Sequence, residues 1–249
     1  MLVRITNKCL GGCPHCFCDS NPNGKHMNPR TFGDLLSFIH RARPTVLLLS
    51  GGEPTLHPDF PEIANHFLDL APATIVLSNG SFAKDRKALA AVKALMARGI
   101  QVQVRTHPAF YPTHEETVRA RNFLTEIGCQ VFDDKIDGLL RVGRAKNSHP
   151  DVPNLPCSCL NPALVARQTP GFRDWIETME QAGRFCSPHV DPNGTVRAGE
   201  SGECRAVGNV SNSTEKVFGG LAKHNPRDCN LCNGFDLALG KYPTIKDFF

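Results

Sequence analysis

The 249-residue sequence predicts an α/β fold on a parallel sheet. Three observations lead there. Short apolar runs alternate with longer segments of helical period. The longer segments carry helix start or stop signals. Over the first 106 residues each cluster of chemistry-bearing residues falls directly after one of the apolar runs, and sheets of this kind gather ligands at the carboxyl ends of their strands.

The elements follow in order. Residues 2–6, LVRIT, are short and β-branched and read as a strand. Asn28-Pro29 is an N-cap followed by proline at the first helical position, and Phe32, Leu35, Leu36 and Ile39 then recur at helical spacing. Val46 to Leu49 reads as a buried strand, and Phe60 to Leu70 as a helix with Phe60, Ile63, Phe67 and Leu70 on one face. Thr74 to Leu77 is a third strand, ending at Ser78-Asn79-Gly80. Ala83 to Ala97 is rich in Ala, Leu and Lys and is closed by Gly99. Ile100 to Val104 is a fourth strand. Thr113 and Glu116 form a capping box for a helix reaching Ile127, with Gly128 after it. Cys129 to Phe132 is a fifth strand. Strands alternating with helices imply right-handed parallel crossovers.

Beyond residue 145 the pattern changes. Pro150, Pro153, Pro156, Pro162 and Pro170 predict an irregular linker or lid over 146–182, with a short helix from Gly171 to Gln181. Asp191-Pro192-Asn193-Gly194, between Val190 and Val196, predicts a hairpin turn.

Composition excludes several classes. A 41% hydrophobic and 21% charged chain is an ordinary globular one. No apolar stretch approaches a membrane span, and a net charge of +4 is too small to argue for nucleic acid. The opening MLVRIT is no export signal, so eleven cysteines read as reduced thiols of a cytoplasmic protein, available to metal.

The cysteines carry the chemistry. Cys9, Cys13 and Cys16 stand as C-x3-C-x2-C at the end of the first strand. Three thiolates can hold three irons of a 4Fe–4S cube and leave the fourth open. A zinc site is the other reading of a close triplet; it wants a fourth protein ligand, for which His15 and Cys18 are placed only awkwardly. Ser50-Gly51-Gly52-Glu53-Pro54 ends the second strand. A second set follows: Cys186 and Cys204 flank the predicted hairpin, and Cys229 and Cys232 form a C-x2-C pair. A hairpin with such a pair is also the mark of a zinc ribbon.

The cysteine spacing together with the downstream GGE resembles the radical S-adenosylmethionine (radical SAM) superfamily over about residues 1–145. The resemblance implies a partial TIM-like (β/α) barrel. It also implies a SAM-binding 4Fe–4S cluster on Cys9, Cys13 and Cys16, and reductive cleavage of SAM to a 5′-deoxyadenosyl radical. Glu53 would accept from the SAM ammonium, with Gly51, Gly52 and Pro54 shaping the segment. His15 stands where the family often places a ring against adenine; a solvated loop histidine is the alternative. Ser78 and Asn79 stand where the family contacts SAM, against a plain turn. Arg105 and Thr106 would meet the ribose or carboxylate. Arg144, in VGRA, would clamp a carboxylate of SAM or substrate, against a surface arginine.

The second cysteine set, with Gly208-Asn209-Val210, resembles the twitch domain of such enzymes, related to the SPASM domain, over about residues 183–235. This implies a small C-terminal domain, 183–249, holding an auxiliary 4Fe–4S cluster through Cys186, Cys204, Cys229 and Cys232. Four thiolates saturate that cluster, leaving it electron transfer or structure. The activity implied is oxidation of a small molecule, with a flavodoxin or ferredoxin as electron donor. A peptide maturase is the alternative, and a non-catalytic electron carrier would leave GGE and SNG unexplained. Cys129 is expected in the core, Cys18 as a loop thiol beside the cluster, and Cys157 and Cys159 remain without an assigned role.

Overall fold

The computed structural model describes residues 1–106, 110–132, 142–148, 151, 159–160, 185–186, 188–199 and 202–223, the pairs 159–160 and 185–186 by their backbone. The predicted helix over 171–181 and most of the Pro-rich segment lie outside the described residues, as do Cys157, Cys229 and Cys232.

Five parallel strands and four helices follow the expected order. Strand β1 is Leu2–Arg4, β2 Val46–Ser50, β3 Ala73–Ser78, β4 Gln101–Arg105 and β5 Gln130–Phe132. Helix α1 is Pro29–Ala42, α2 Phe60–Leu70, α3 Arg86–Ala97 and α4 His114–Glu126. The local signals act as chemistry predicts. Asn28 Oδ1 accepts from the Thr31 amide at 2.9 Å and starts α1. The Thr113–Glu116 capping box is closed in both directions. The helix expected from Ala83 is instead a 3-10 turn, Ser81–Lys84, before α3. The reason is Asp85, whose carboxylate accepts from the amides of Lys87 and Ala88 at 2.9 and 2.8 Å and so starts the helix there.

Strands β8 (His189–Val190), β9 (Thr195–Arg197) and β10 (Ala206–Asn209) extend this sheet beyond β1. Its order is β10-β9-β8-β1-β2-β3-β4-β5, with β8 parallel to β1 and β9 and β10 antiparallel. The hairpin turn at 191–194 is present, with Gly194 at φ 81°. Among the described strands β5 and β10 remain the two edges, so the sheet is an open, parallel-dominated α/β layer. A separate antiparallel pair joins β6 (Cys159–Leu160) to β7 (Phe185–Cys186), with Cys159 opposite Cys186.

The core lies between the sheet and its helices. Phe38, Leu35 and Ile39 of α1, Phe67 of α2 and Leu47 and Leu49 of β2 are fully buried. Helix α5 (Thr214–Ala222) joins the same core, with Phe218 stacked on Phe38 at 6.5 Å between ring centroids. Burying side chains of this size contributes about 1.5–3 kcal/mol each. Cys129 is buried in this core as expected, its sulfur 4.0 Å from Met96 Sδ. Among the described residues no helix is long and apolar enough to cross a membrane.

Candidate active site at the carboxyl ends of the strands

The backbone after β1 is held from both sides. On one side Asn7 and Cys9 donate their amides to Lys25 O and Asn21 O, at 2.8 and 3.0 Å, and Met27 donates back to Ile5 O at 2.7 Å. Residues 5–9 and 21–27 thus form a stem that closes the cysteine loop. On the other side Ile5 donates to Ser50 O at 3.0 Å, Gly52 to Thr6 O at 2.7 Å and Glu53 to Lys8 O at 2.9 Å. The GGE segment lies flat against this stem, which only glycine permits. A Cβ at Gly51 would stand 2.5 Å from Thr6 O, and one at Gly52 2.4 Å from Lys8 O.

Glu53 is completely buried and caps the 3-10 turn Pro54–Leu56. Its Oε1 accepts from Thr55 Oγ1 at 2.7 Å, from Ser78 Oγ at 2.9 Å and from the Thr55 amide at 3.3 Å. Its Oε2 accepts from the Asn79 amide at 2.8 Å. Burial pushes the carboxyl upward, and these donors oppose the shift. Asn79 also reaches the first cysteine, donating Nδ2 to Cys9 Sγ at 3.6 Å. Asn79 therefore joins the ends of β1, β2 and β3 in one contact chain. Of the SNG turn only Gly80 is left-handed, at φ 79°.

Cys9 is buried, and Cys13, Cys16 and Cys18 are half-buried. Cys9 Sγ accepts from the Gly11 amide at 3.4 Å. Burial, and then the charges of Cys9 and Cys16, push the Cys13 thiol up to about 11. Cys16 is drawn down to about 5, first by a hydrogen bond from Cys18. Cys18 is raised well above its usual value by the same bond. His15 is half-buried on this loop.

Arg144 is bound to the loop. Its Nε donates to Cys13 O at 3.0 Å, and its terminal nitrogen donates to Asp19 Oδ1 at 2.9 Å and Ser20 O at 2.7 Å. Its amide donates to Cys16 O at 3.0 Å. The neighbouring Gly143 amide donates to Glu203 Oε1 at 2.8 Å, and Glu203 pairs with Lys146 at 2.8 Å. Thus 142–148 ties the cysteine loop to the residue before Cys204.

Arg105 is exposed at the end of β4, whereas Thr106 is buried and its hydroxyl accepts from Arg121 Nε at 3.2 Å. Cys204 is buried beside β10, and Cys186 is described by its backbone position on β7. Sequence reasoning missed Thr55, the Asp19–Arg144 pair and the stem. A hydroxyl two residues after a buried carboxylate is a signal that would have found the first. The others join segments far apart in the chain.

The radical SAM superfamily model matches residues 3–191, and the chain belongs to that superfamily. It is 33% identical over 66 residues to a 7,8-dihydro-6-hydroxymethylpterin dimethyltransferase of Methanocaldococcus jannaschii, covering 24% of this chain and 13% of that protein. It is 32% identical over 83 residues to an S-adenosylmethionine-dependent nucleotide dehydratase of Selenomonas ruminantium, covering 32% of this chain and 29% of that one. Each match thus spans less than a third of the curated relative's length. The solved structure of BtrN in complex with AdoMet and 2-DOIA aligns at a TM-score of 0.51 and 15% identity, covering 90% of this chain and 82% of that one, a likeness of fold.

SAM and a 4Fe–4S cluster are the cofactors of this superfamily, and the donor set suits such a cluster. Three thiols share one loop, and N–H donors of Gly11 and Asn79 already face Cys9 Sγ. Hydrogen bonds of this kind support cluster sulfurs. Among the described residues no three His, Cys, Asp or Glu side chains close round a single ion. A cube asks for no such convergence, since it spreads its thiolates over separate irons.

Proposed function

We propose that the chain is a radical SAM oxidoreductase acting on a small molecule. Cys9, Cys13 and Cys16 hold the SAM-binding cluster, and Glu53 takes the methionine ammonium. The observation that carries this reading is Asn79, which donates to Glu53 Oε2 and to Cys9 Sγ at once. It puts the only buried carboxylate of the GGE segment beside the cluster loop. Cys186, Cys204, Cys229 and Cys232 hold a second, fully ligated cluster. When bound, the first cluster supplies the electron that cleaves SAM into a hydrogen-abstracting radical, and the second supplies an acceptor for the substrate's remaining electron.

The protein's own groups position and exclude. Gly51 and Gly52 let the segment lie against the stem, and Ser78 and Thr55 fix the Glu53 rotamer so that Oε2 keeps an unshared lone pair. Arg144 is committed to loop carbonyls and Asp19, which supports holding the cysteine loop rather than clamping a mobile carboxylate. His15 supplies a ring beside adenine, and Arg105 and Thr106 border the ribose end. A flavodoxin or ferredoxin delivers the electron.

Metal analysis of anaerobically reconstituted protein tests the oxidoreductase reading. It expects about eight irons per chain and no stoichiometric zinc. Replacing Cys186, Cys204, Cys229 and Cys232 by alanine should halve the iron and leave 5′-deoxyadenosine formation in place. Stoichiometric zinc at the second site would overturn the electron-acceptor role.

A further inference from the structure

The segment after β4 seats a tyrosine against the SNG turn, and the function above leaves it unused. Tyr111 is 5% exposed, and its Oη donates to Gly80 O at 2.8 Å. Burial, and then the charge of Glu53, hold the phenol above its usual value, so it keeps the proton it donates. Two neighbours fix the tyrosine itself. Thr117 Oγ1 of α4 donates to Tyr111 O at 3.0 Å. Lys84 Nζ stands 4.7 Å from the ring centroid, a cation–π distance, and donates to Phe110 O. The Phe110 ring in turn lies against the cysteine loop. A Cβ at Gly11 would stand 3.3 Å from Phe110 Cε2, 3.4 Å from Cys13 Sγ and 3.6 Å from Cys9 Sγ.

Gly80 is the joint through which Tyr111 reaches Glu53. Its amide donates to Ser78 Oγ at 3.0 Å, and Ser78 Oγ donates to Glu53 Oε1 at 2.9 Å. The amide of the preceding residue, Asn79, donates to Glu53 Oε2 at 2.8 Å. Gly80 O also accepts from the Ala83 amide at 3.1 Å, so the turn does not need the hydroxyl to satisfy that carbonyl. What the hydroxyl adds is a fixed direction, imposed from the β4 side. We propose that Tyr111 is a positioning residue for SAM, which holds the Gly80 turn and, through Ser78 and Asn79, aims the Glu53 carboxylate at the methionine ammonium. The inference rests on the role given to Glu53 above, and the effect of Tyr111 on SAM runs through that carboxylate.

The test is a double-mutant cycle of Tyr111→Phe and Glu53→Gln in the full reconstituted chain. Anaerobic calorimetry reads SAM affinity at equal iron content, and thermal denaturation accompanies each variant. Tyr111→Phe should keep its iron and bind SAM about three- to tenfold more weakly, the range of one neutral hydrogen bond. In the Glu53→Gln background the same change should cost at most about twofold, so the two effects do not add. A loss of stability alone would lower both arms alike. Lys84→Met, at an exposed position, releases Phe110 O and should move the affinity in the same direction by less, with the same dependence on Glu53. If Tyr111→Phe does not hold iron, Lys84→Met carries the test. Unchanged SAM affinity in the iron-replete variant, or effects that add in full with Glu53→Gln, would overturn the inference. If iron-replete wild-type protein binds no SAM, the site assignment itself fails and this inference with it.

Discussion

Replacing Glu53 by glutamine separates binding from folding. The side chain keeps its shape, so the buried site gains no cavity. Glutamine can turn its oxygen toward the Asn79 amide and its NH2 toward the hydroxyls of Thr55 and Ser78, which rotate to accept. The Thr55 amide, at 3.3 Å from Oε1, then loses its acceptor. The hydroxyl hydrogens of Thr55 and Ser78 lose the carboxylate as well. Each buried donor left without a partner costs roughly 1–3 kcal/mol, so the melting temperature should fall. The loss at SAM is of another kind. The ammonium keeps an acceptor but loses its counter-charge, a loss of roughly 1.5–3 kcal/mol, or about ten- to a hundred-fold in affinity. Anaerobic calorimetry with SAM, at equal iron content, reads this directly. Glu53→Ala, by contrast, leaves every donor of the site unpaired and should damage folding as well. A glutamine variant that binds SAM as tightly as wild type would refute the role given to Glu53.

Two further outcomes follow from the same geometry. Gly52→Ala places a methyl group 2.4 Å from Lys8 O, so the GGE segment must move off the stem; iron bound per chain should fall, and full occupancy would show that the stem tolerates the shift. The hairpin junction should weaken in acid. Burial holds the His189 imidazole below its usual 6.5. Asp191 lies below its usual 3.8: burial would raise it, but hydrogen bonds from His189 and Arg197 prevail. Both groups bind fewer protons folded than unfolded, so stability is complete above about pH 6.5 and declines as pH falls, the Asp191 part disappearing below its usual 3.8. Asp191→Asn should flatten the lower part of that profile in thermal denaturation, and an unaltered profile would contradict the assignment.

The strands and helices were legible because their signals are local. Helical spacing at Phe60, Ile63 and Phe67, the caps at Asn28 and Thr113, and the turn at 191–194 each act within a few residues. The order of motifs at strand ends was legible for the same reason, since a parallel sheet converts chain order into proximity. What escaped joins distant segments. Arg4 and Asp191 are 187 residues apart, and Arg4 read simply as a member of a β-branched run. Arg144 stood out in the sequence as a carboxylate clamp or a surface arginine, yet its partners, Cys13 O, Asp19 and Ser20 O, lie more than 120 residues earlier. The addition of β8, β9 and β10 to the edge beside β1 also rests on pairing that no local pattern encodes.

The central claim is that Cys9, Cys13 and Cys16 hold a cluster with one open iron that engages SAM. The most direct measurement incubates anaerobically reconstituted protein with SAM and dithionite and quantifies 5′-deoxyadenosine by chromatography. Wild-type protein should form it. A variant with Cys9, Cys13 and Cys16 all replaced by alanine should form none and should lose about four irons per chain. Retained cleavage in that variant, or no cleavage by iron-replete wild-type protein, would contradict the account.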